Sequence, residues 1–170
     1  MILSEKEFKA LLAKNPNLKI RLGETHSEAQ PQIDLSSNSK YWNIKVYVFQ
    51  DGFVSETKTV DGHGKIVDHF DSRREYVRYL HLVAMEQNGI ISNLSRQTSL
   101  EIAPAFNYRG EHIRAISYKA DFTYMQDSEF VVEDVKGFDR KRNKSLSTSD
   151  FKLKWKLLKL KYPEYRFQIF

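Results

Sequence analysis

The chain has 170 residues, a formal net charge of +5 and a sequence pI near 9.3, with 41% hydrophobic and 13% aromatic residues. A chain of this length buries roughly 70% of its unfolded surface, so it can build a core without covalent staples. The composition is that of a globular protein and not of a disordered one. The absence of cysteine excludes a disulfide framework, a thiolate zinc site and a cysteine nucleophile.

The charge is uneven. Residues 138–170 carry ten Lys or Arg against three Asp or Glu, a net of +7, while residues 1–137 carry a net of −2. A basic end on an acidic body suits a polyanion, nucleic acid above all, although a solubilising lysine face has the same signature. No apolar run approaches membrane-spanning length. Glu5 and Glu7 stand where a secretion leader needs an apolar stretch, so a soluble intracellular protein is expected.

Residues 3–14 read as a short helix, with Ser4 and Glu7 as a capping box and Leu3 and Phe8 as its staple. Residues 1–22 form an N-terminal arm, and the polar stretch 23–40 reads as a linker. From Ile44 the apolar period becomes two. Residues 45–49, a turn at Asp51-Gly52 and residues 53–60 predict a hairpin, and residues 66–70 a third strand. A helix is predicted over 72–88, capped by Ser72 with Glu75 three residues on and closed by Asn88-Gly89. Its apolar stripe is Tyr76, Tyr79, Leu80 and Val83.

Strand patterns then fill 94–102, 113–124 and 130–136, with turns at Arg109-Gly110 and at residues 126–128. A last helix over 150–162 is capped by Ser149 or Asp150 and stops near Pro163, and Tyr165, Phe167 and Ile169 alternate as a final strand. That helix is apolar on two sides. Phe151, Trp155, Leu158 and Tyr162 lie on one, and Leu153, Leu157 and Leu160 on the other, which predicts two packing neighbours. The expected fold is α/β, a central mixed sheet flanked by helices with an N-terminal helix and hairpin extension. Residues 41–170 would form a single domain.

Three acids and a lysine carry chemical meaning together. Asp121 lies in one strand pattern and Asp134 in the next. Alternation puts Asp134 and Lys136 on one face, with Glu133 and Val135 on the other. A turn after Tyr124 can lay the strands side by side, and Glu75 opens the upstream helix. Clustered carboxylates are hard ligands for Mg²⁺ or Mn²⁺. A divalent ion relieves their mutual repulsion and polarises a scissile phosphate, while an ammonium orients water or steadies developing charge. Each residue also has a plainer reading. Glu75 completes a capping box, Asp121 is an ordinary strand residue, and Asp134 with Lys136 is a same-face ion pair. His63, His69, His81 and His112 lack metal-ligand spacing and are read as structural.

Asp121…Asp134-Val135-Lys136 with Glu75 upstream resembles the PD-(D/E)XK nuclease superfamily, whose core runs αβββαβ. Segments 70–75, 91–97, 113–122, 131–137 and 154–158 look closer still to an uncharacterised phage-associated endonuclease-like family, over about 66–170. Ala120 stands where the superfamily motif has proline. The resemblance implies a restriction-endonuclease-like core and Mg²⁺-dependent hydrolysis of DNA, with Mn²⁺ as a substitute. Relatives include Holliday-junction resolvases, debranching endonucleases and restriction enzymes. By position Asp121, Asp134 and Glu75 would hold the metal and Lys136 would serve the nucleophilic water, with Glu133 able to replace Asp134 if a bulge turned it inward. Gln97, Lys154 and Lys156, and the basic loop Arg140, Lys141 and Arg142, would contact DNA. A branched substrate, a homodimer and the cytoplasm of a phage-infected host are expected by the same analogy. A non-catalytic nucleic-acid-binding module and an RNA-directed nuclease are the alternatives.

Overall fold

Helix α1 (Arg73–Gln87) begins where the sequence places it. Ser72 Oγ accepts the Glu75 N–H at 3.0 Å. Glu75 answers one residue further back than in a standard capping box, its Oε2 accepting the Asp71 N–H at 3.1 Å. At the far end Gly89 takes φ +68°, the left-handed conformation that stops a helix at little cost. The computed structural model describes residues 44–139, 144–145 and 147–170, with backbone only at 138–139 and 144–145. The predicted 3–14 helix, the 1–22 arm and the 23–40 linker lie outside the described residues. The chain divides into two compact units between Gln87 and Asn88.

Among its described residues the first unit holds α1 and three strands, β1 (Val46–Phe49), β2 (Val54–Ser55) and β3 (Ile66–Phe70), in an antiparallel sheet of order β2-β1-β3. Val46, Val54, Phe70 and Tyr76 form its core, with the Phe70 ring 5.0 Å from Tyr76 and 5.2 Å from Tyr79. The predicted strand over 53–60 shortens to two residues. Ser55 Oγ accepts the Thr57 N–H at 3.0 Å, a local side-chain bond that takes the backbone out of the ladder. The α1 stripe is also wider than predicted. Leu82 and Ala84 are fully buried, whereas Tyr79, Leu80 and Val83 are half-buried. Glu75, Arg78 and His81 are buried beside them, and Arg78 donates to His81 Nδ1 at 2.9 Å. A stripe counted from apolar residues misses polar groups that bring their partners with them.

The described residues of the second unit centre on a four-stranded mixed sheet of order β11-β8-β7-β4 and one helix. Its strands are β4 (Ser92–Ala103), β7 (Ile116–Gln126), β8 (Glu129–Asp134) and β11 (Arg166–Ile169). β4, β7 and β8 pair antiparallel, and α2 (Ser149–Lys161) is the crossover that brings β11 back parallel to β8. Asp127 and Ser128 both take positive φ (53° and 66°) in the β7–β8 turn, which suits the twist of a tight hairpin. The predicted run 113–124 is broken at Arg114-Ala115. Residues before the break fold back as a ribbon, β5 (Phe106–Tyr108) on β6 (Glu111–Ile113), around Arg109-Gly110. Two short strands, β9 (Phe138–Asp139) and β10 (Lys144–Ser145), pair between β8 and α2 in the sequence.

The cap of α2 is Thr148, not Ser149 or Asp150. Its backbone is still extended (φ −73°, ψ 162°), so its hydroxyl can turn back to accept the Phe151 N–H at 3.1 Å. Phe151, Trp155 and Leu158 pack on Leu100, Tyr118, Ala120 and Val132. Tyr162 Oη donates to the Glu101 carbonyl at 2.9 Å and Lys161 pairs with the Glu101 carboxylate at 3.0 Å, which tie the helix end to β4. Among the described residues the second apolar side does not find the neighbour its sequence predicts. Leu153 is 59% and Leu160 78% exposed, because the sheet covers only one side of the helix. Among the described residues no helix is long and apolar enough to cross a membrane.

This one-sided packing predicts that Leu158→Ala costs about 2–5 kcal/mol through the cavity it leaves, while Leu160→Ala stays within about 0.5 kcal/mol of the parent. Urea denaturation of the two variants compares them. Equal losses would contradict the packing.

Candidate catalytic site on the mixed sheet

The β7–β8 register runs regularly from Gln126↔Glu129 to Phe122↔Glu133. One further step brings Asp121 opposite Asp134. Asp121 reaches across, and its Oδ2 accepts the Val135 N–H at 2.7 Å. Beyond Asp134 the chain stays in register with the last residue, since Phe170 N–H donates to Asp134 O at 2.9 Å and Lys136 N–H to Phe170 O at 3.1 Å. The backbone of Lys136 is thereby fixed one alternation beyond Asp134, and the two side chains fall on the same face, as predicted.

Asp134 is buried, its side chain only 3% exposed. The Tyr118 hydroxyl donates to Oδ1, and Lys136 Nζ forms an ion pair at Oδ2. The ammonium also sits 4.3 Å above the Phe151 ring, so α2 supplies a second attraction to the same charge. Burial pushes the Tyr118 phenol far above its ordinary value, and the neighbouring Asp134 carboxylate adds to the shift. The hydroxyl is therefore a proton donor throughout the physiological range. The Asp134–Lys136 contact is one of charge and not of alignment, because among the described residues no donor is aligned on Oδ2 as a hydrogen bond.

Glu133 points the other way. It is fully buried, and its Oε2 accepts from Tyr124 Oη at 2.8 Å and from Gln168 Nε2 at 2.5 Å. Gln168 lies directly across the parallel β8–β11 pair and also donates to Tyr124 Oη. No bulge interrupts β8 opposite β7, so it is Asp134, and not Glu133, that shares a face with Lys136.

Gln97 occupies the position across β7 from Asp121, between the pairs Arg96↔Phe122 and Thr98↔Ala120. It takes φ +55° in mid-strand. A side chain other than Gly pays about 1–2 kcal/mol there. At the same level of the sheet, the residues that share a face change. Tyr118 and Ala120 pack in one cluster with Val132, yet Val132 stands opposite Thr123, so alternation in β7 slips between Ala120 and Thr123. The contact between Thr98 Oγ1 and Thr123 Oγ1 at 2.8 Å bridges this slip. Asp121 sits within it.

The other predicted site residues are placed as follows. Glu75 belongs to the first unit, where it is buried at the start of α1 in the bonds given above. Lys154 pairs with Asp150 one turn earlier at 3.3 Å, and Lys156 is exposed on α2. Arg140, Lys141 and Arg142 lie outside the described residues. Among the described residues no three or more His, Asp or Glu side chains form a group able to hold a metal ion by themselves. The histidines make local contacts. His63 stacks on Phe53 with centroids 3.7 Å apart and bonds Asp51 at 2.7 Å, which holds the Asp51 carboxyl below its ordinary value. Sequence reasoning missed Tyr118. The signal was a tyrosine three residues before Asp121 in the same strand, but plain alternation would not have aimed it at Asp134.

Fold and site define an α/β protein with a mixed sheet that carries a buried aspartate between a phenol and an ammonium, faced by a second aspartate on the adjoining strand. The family model described as "Protein of unknown function (DUF1064)" matches residues 56–170, more than half of the chain, and the chain belongs to that family. No curated protein and no solved structure matches it.

The Tyr118 bond generates a pH-dependent prediction. At neutral pH Tyr118→Phe should cost about 1–3 kcal/mol, since it removes a donor from a buried carboxylate. The folded phenol titrates above its unfolded value of 10.0, so its share of stability is present below that pH and fades as pH rises past it. The gap between parent and variant should therefore narrow from pH 7 to pH 11 in denaturant titrations. A constant gap would show that the hydroxyl is not held as described.

Proposed function

We propose that the protein is a Mg²⁺-dependent endodeoxyribonuclease of the PD-(D/E)XK superfamily that hydrolyses phosphodiester bonds in branched or structured DNA. The observation that carries this reading is the trio Asp121, Asp134 and Lys136 on facing strands, with the Lys136 ammonium against Asp134 Oδ2. The element order from α1 onward is α, β, β, β, α, β once the β5–β6 ribbon and the short β9–β10 pair are set aside, which is the order of that superfamily's core. The basic C-terminal part of the chain suits a phosphate backbone.

The residues present fit a hard divalent ion. Among the described residues Asp134 Oδ2 is a buried carboxylate oxygen with no aligned hydrogen-bond donor, and Asp121 is a second carboxylate opposite it in register. Asp121 and Asp134 would hold the ion. Bound there, Mg²⁺ or Mn²⁺ would supply Lewis-acid polarisation of the phosphate. The protein's own groups do the rest. Tyr118 keeps Asp134 oriented through Oδ1. Lys136 is the more exposed partner of the pair, 23% against 3%, so a solvent molecule or phosphate approaching Asp134 meets the ammonium first. Its N–H groups orient the attacking water and steady the charge that develops on the phosphate oxygens. The Phe151 ring and the backbone bond to Phe170 limit where that ammonium can go.

Incubation with plasmid, linear duplex, four-way junction and RNA, in Mg²⁺, Mn²⁺ or chelator, tests the proposal. Metal-dependent cutting of DNA is expected, strongest on the junction. Asp134→Asn, Asp121→Asn and Lys136→Met should each lower the rate by about 10²-fold or more while DNA binding persists. DNA binding with no cutting in any metal would make the protein a binding module. Cutting of RNA alone would replace the substrate.

A further inference from the structure

The β5–β6 ribbon is the feature that the proposed chemistry leaves unused. It leaves the sheet at the end of β4 and returns at the start of β7. Its register pairs Phe106 with Ile113 and Tyr108 with Glu111, so Phe106 and Tyr108 share one face with Ile113 and the exposed Glu111, and Asn107 and His112 lie on the other. An isolated two-stranded ribbon is marginal in water and ordinarily covers its apolar face. Here Phe106 is 50% and Tyr108 56% exposed, and Ile116 at the root is also exposed. Cationic groups accompany the rings. The Arg109 guanidinium lies 5.6 Å from the Tyr108 ring, and Arg114 is exposed where the ribbon rejoins the sheet. Two flat rings on one face with guanidinium groups at tip and root match a nucleobase beside its phosphates better than they match a purely apolar surface.

The position of the ribbon is equally specific. Asp121 lies five residues into β7 from Ile116, roughly 17 Å at about 3.3 Å per residue. β8 runs antiparallel to β7, so its Asp134 end points toward the end of the sheet from which the ribbon projects. The separation is about half a duplex turn. A DNA strand with its phosphate at Asp134 would thus have neighbouring nucleotides within reach of the ribbon.

The geometry points to the β5–β6 ribbon as a second DNA contact that stacks Phe106 and Tyr108 on unpaired bases, which makes the substrate DNA with bases open at a branch or gap and not uninterrupted duplex. The identity of the neighbouring phosphate rests on the nuclease reading, whereas the stacking rests on the ribbon itself.

The test uses the full chain in chelator, where nothing is cut, with 2-aminopurine placed at the branch of a four-way junction and an unbroken duplex as control. The parent should bind the junction more tightly than the duplex and change the 2-aminopurine emission. Phe106→Ala/Tyr108→Ala should lose about tenfold or more in junction affinity and the emission change. Its duplex affinity and thermal stability should stay as in the parent, because both rings are exposed. Phe106→Leu/Tyr108→Leu keeps apolar area without rings and should lose the emission change as well. Unchanged junction binding in both double variants, or no preference for the junction in the parent, overturns the inference. Asp134→Asn separates it from the nuclease reading. That variant should keep the emission change while losing metal-dependent cutting. If the parent cuts nothing in Mg²⁺ but the rings are needed for the emission change, the nuclease reading fails and the ribbon stands.

Discussion

A carboxylate buried at the end of a strand is costly unless its charge is met. In this protein Asp134 is met by the Tyr118 hydroxyl on one oxygen and the Lys136 ammonium beside the other. Much of the second unit serves that contact. The parallel pairing with β11 carries the strand geometry on to Lys136 through Phe170. Helix α2 brings the Phe151 ring beneath the ammonium. The β7–β8 turn sets the register that puts Asp121 opposite Asp134. Replacing the pair with apolar residues of similar size could cost little stability, as buried ion pairs often show.

Two adjacent acids on one strand raise a problem of register. A slip of one residue would exchange Glu133 for Asp134 beside Lys136. The Tyr124–Glu133–Gln168 network opposes that slip, because it provides bonds that fit the Glu133 face alone. The bend at Gln97 lies across from the point where β7 changes alternation and Tyr118 and Ala120 join Val132 in the α2-side core. Strain of this kind persists only where the surroundings fix it. Here it coincides in register with one of the two aspartates.

Much of this was legible in the residues, and the failures have physical causes. Ser72 with Glu75 announced α1 because a capping box is a local interaction, complete within a few residues. Asp134 and Lys136 were placed on one face by strand alternation alone. The Thr148 cap was missed because the choice among Thr148, Ser149 and Asp150 depends on which backbone is still extended. The exposed side of α2 was missed because periodicity reports which positions are apolar and not whether a neighbour exists. Tyr118 as a partner of Asp134 required the slip at Asp121, which strict alternation along β7 does not contain. The ribbon was foreshadowed only by a turn at Arg109-Gly110, since its rings become notable only when seen uncovered.

On the proposed reading Asp121 and Asp134 would hold a divalent ion, and the Lys136 ammonium beside Asp134 would serve the attacking water. Crystals of the parent protein soaked in Mn²⁺, with data collected at the manganese absorption edge, address this directly. The account predicts an anomalous peak between Asp121 and Asp134, with the ammonium displaced from Oδ2. A map with no peak there at millimolar Mn²⁺, and the Asp134–Lys136 contact intact, would contradict it.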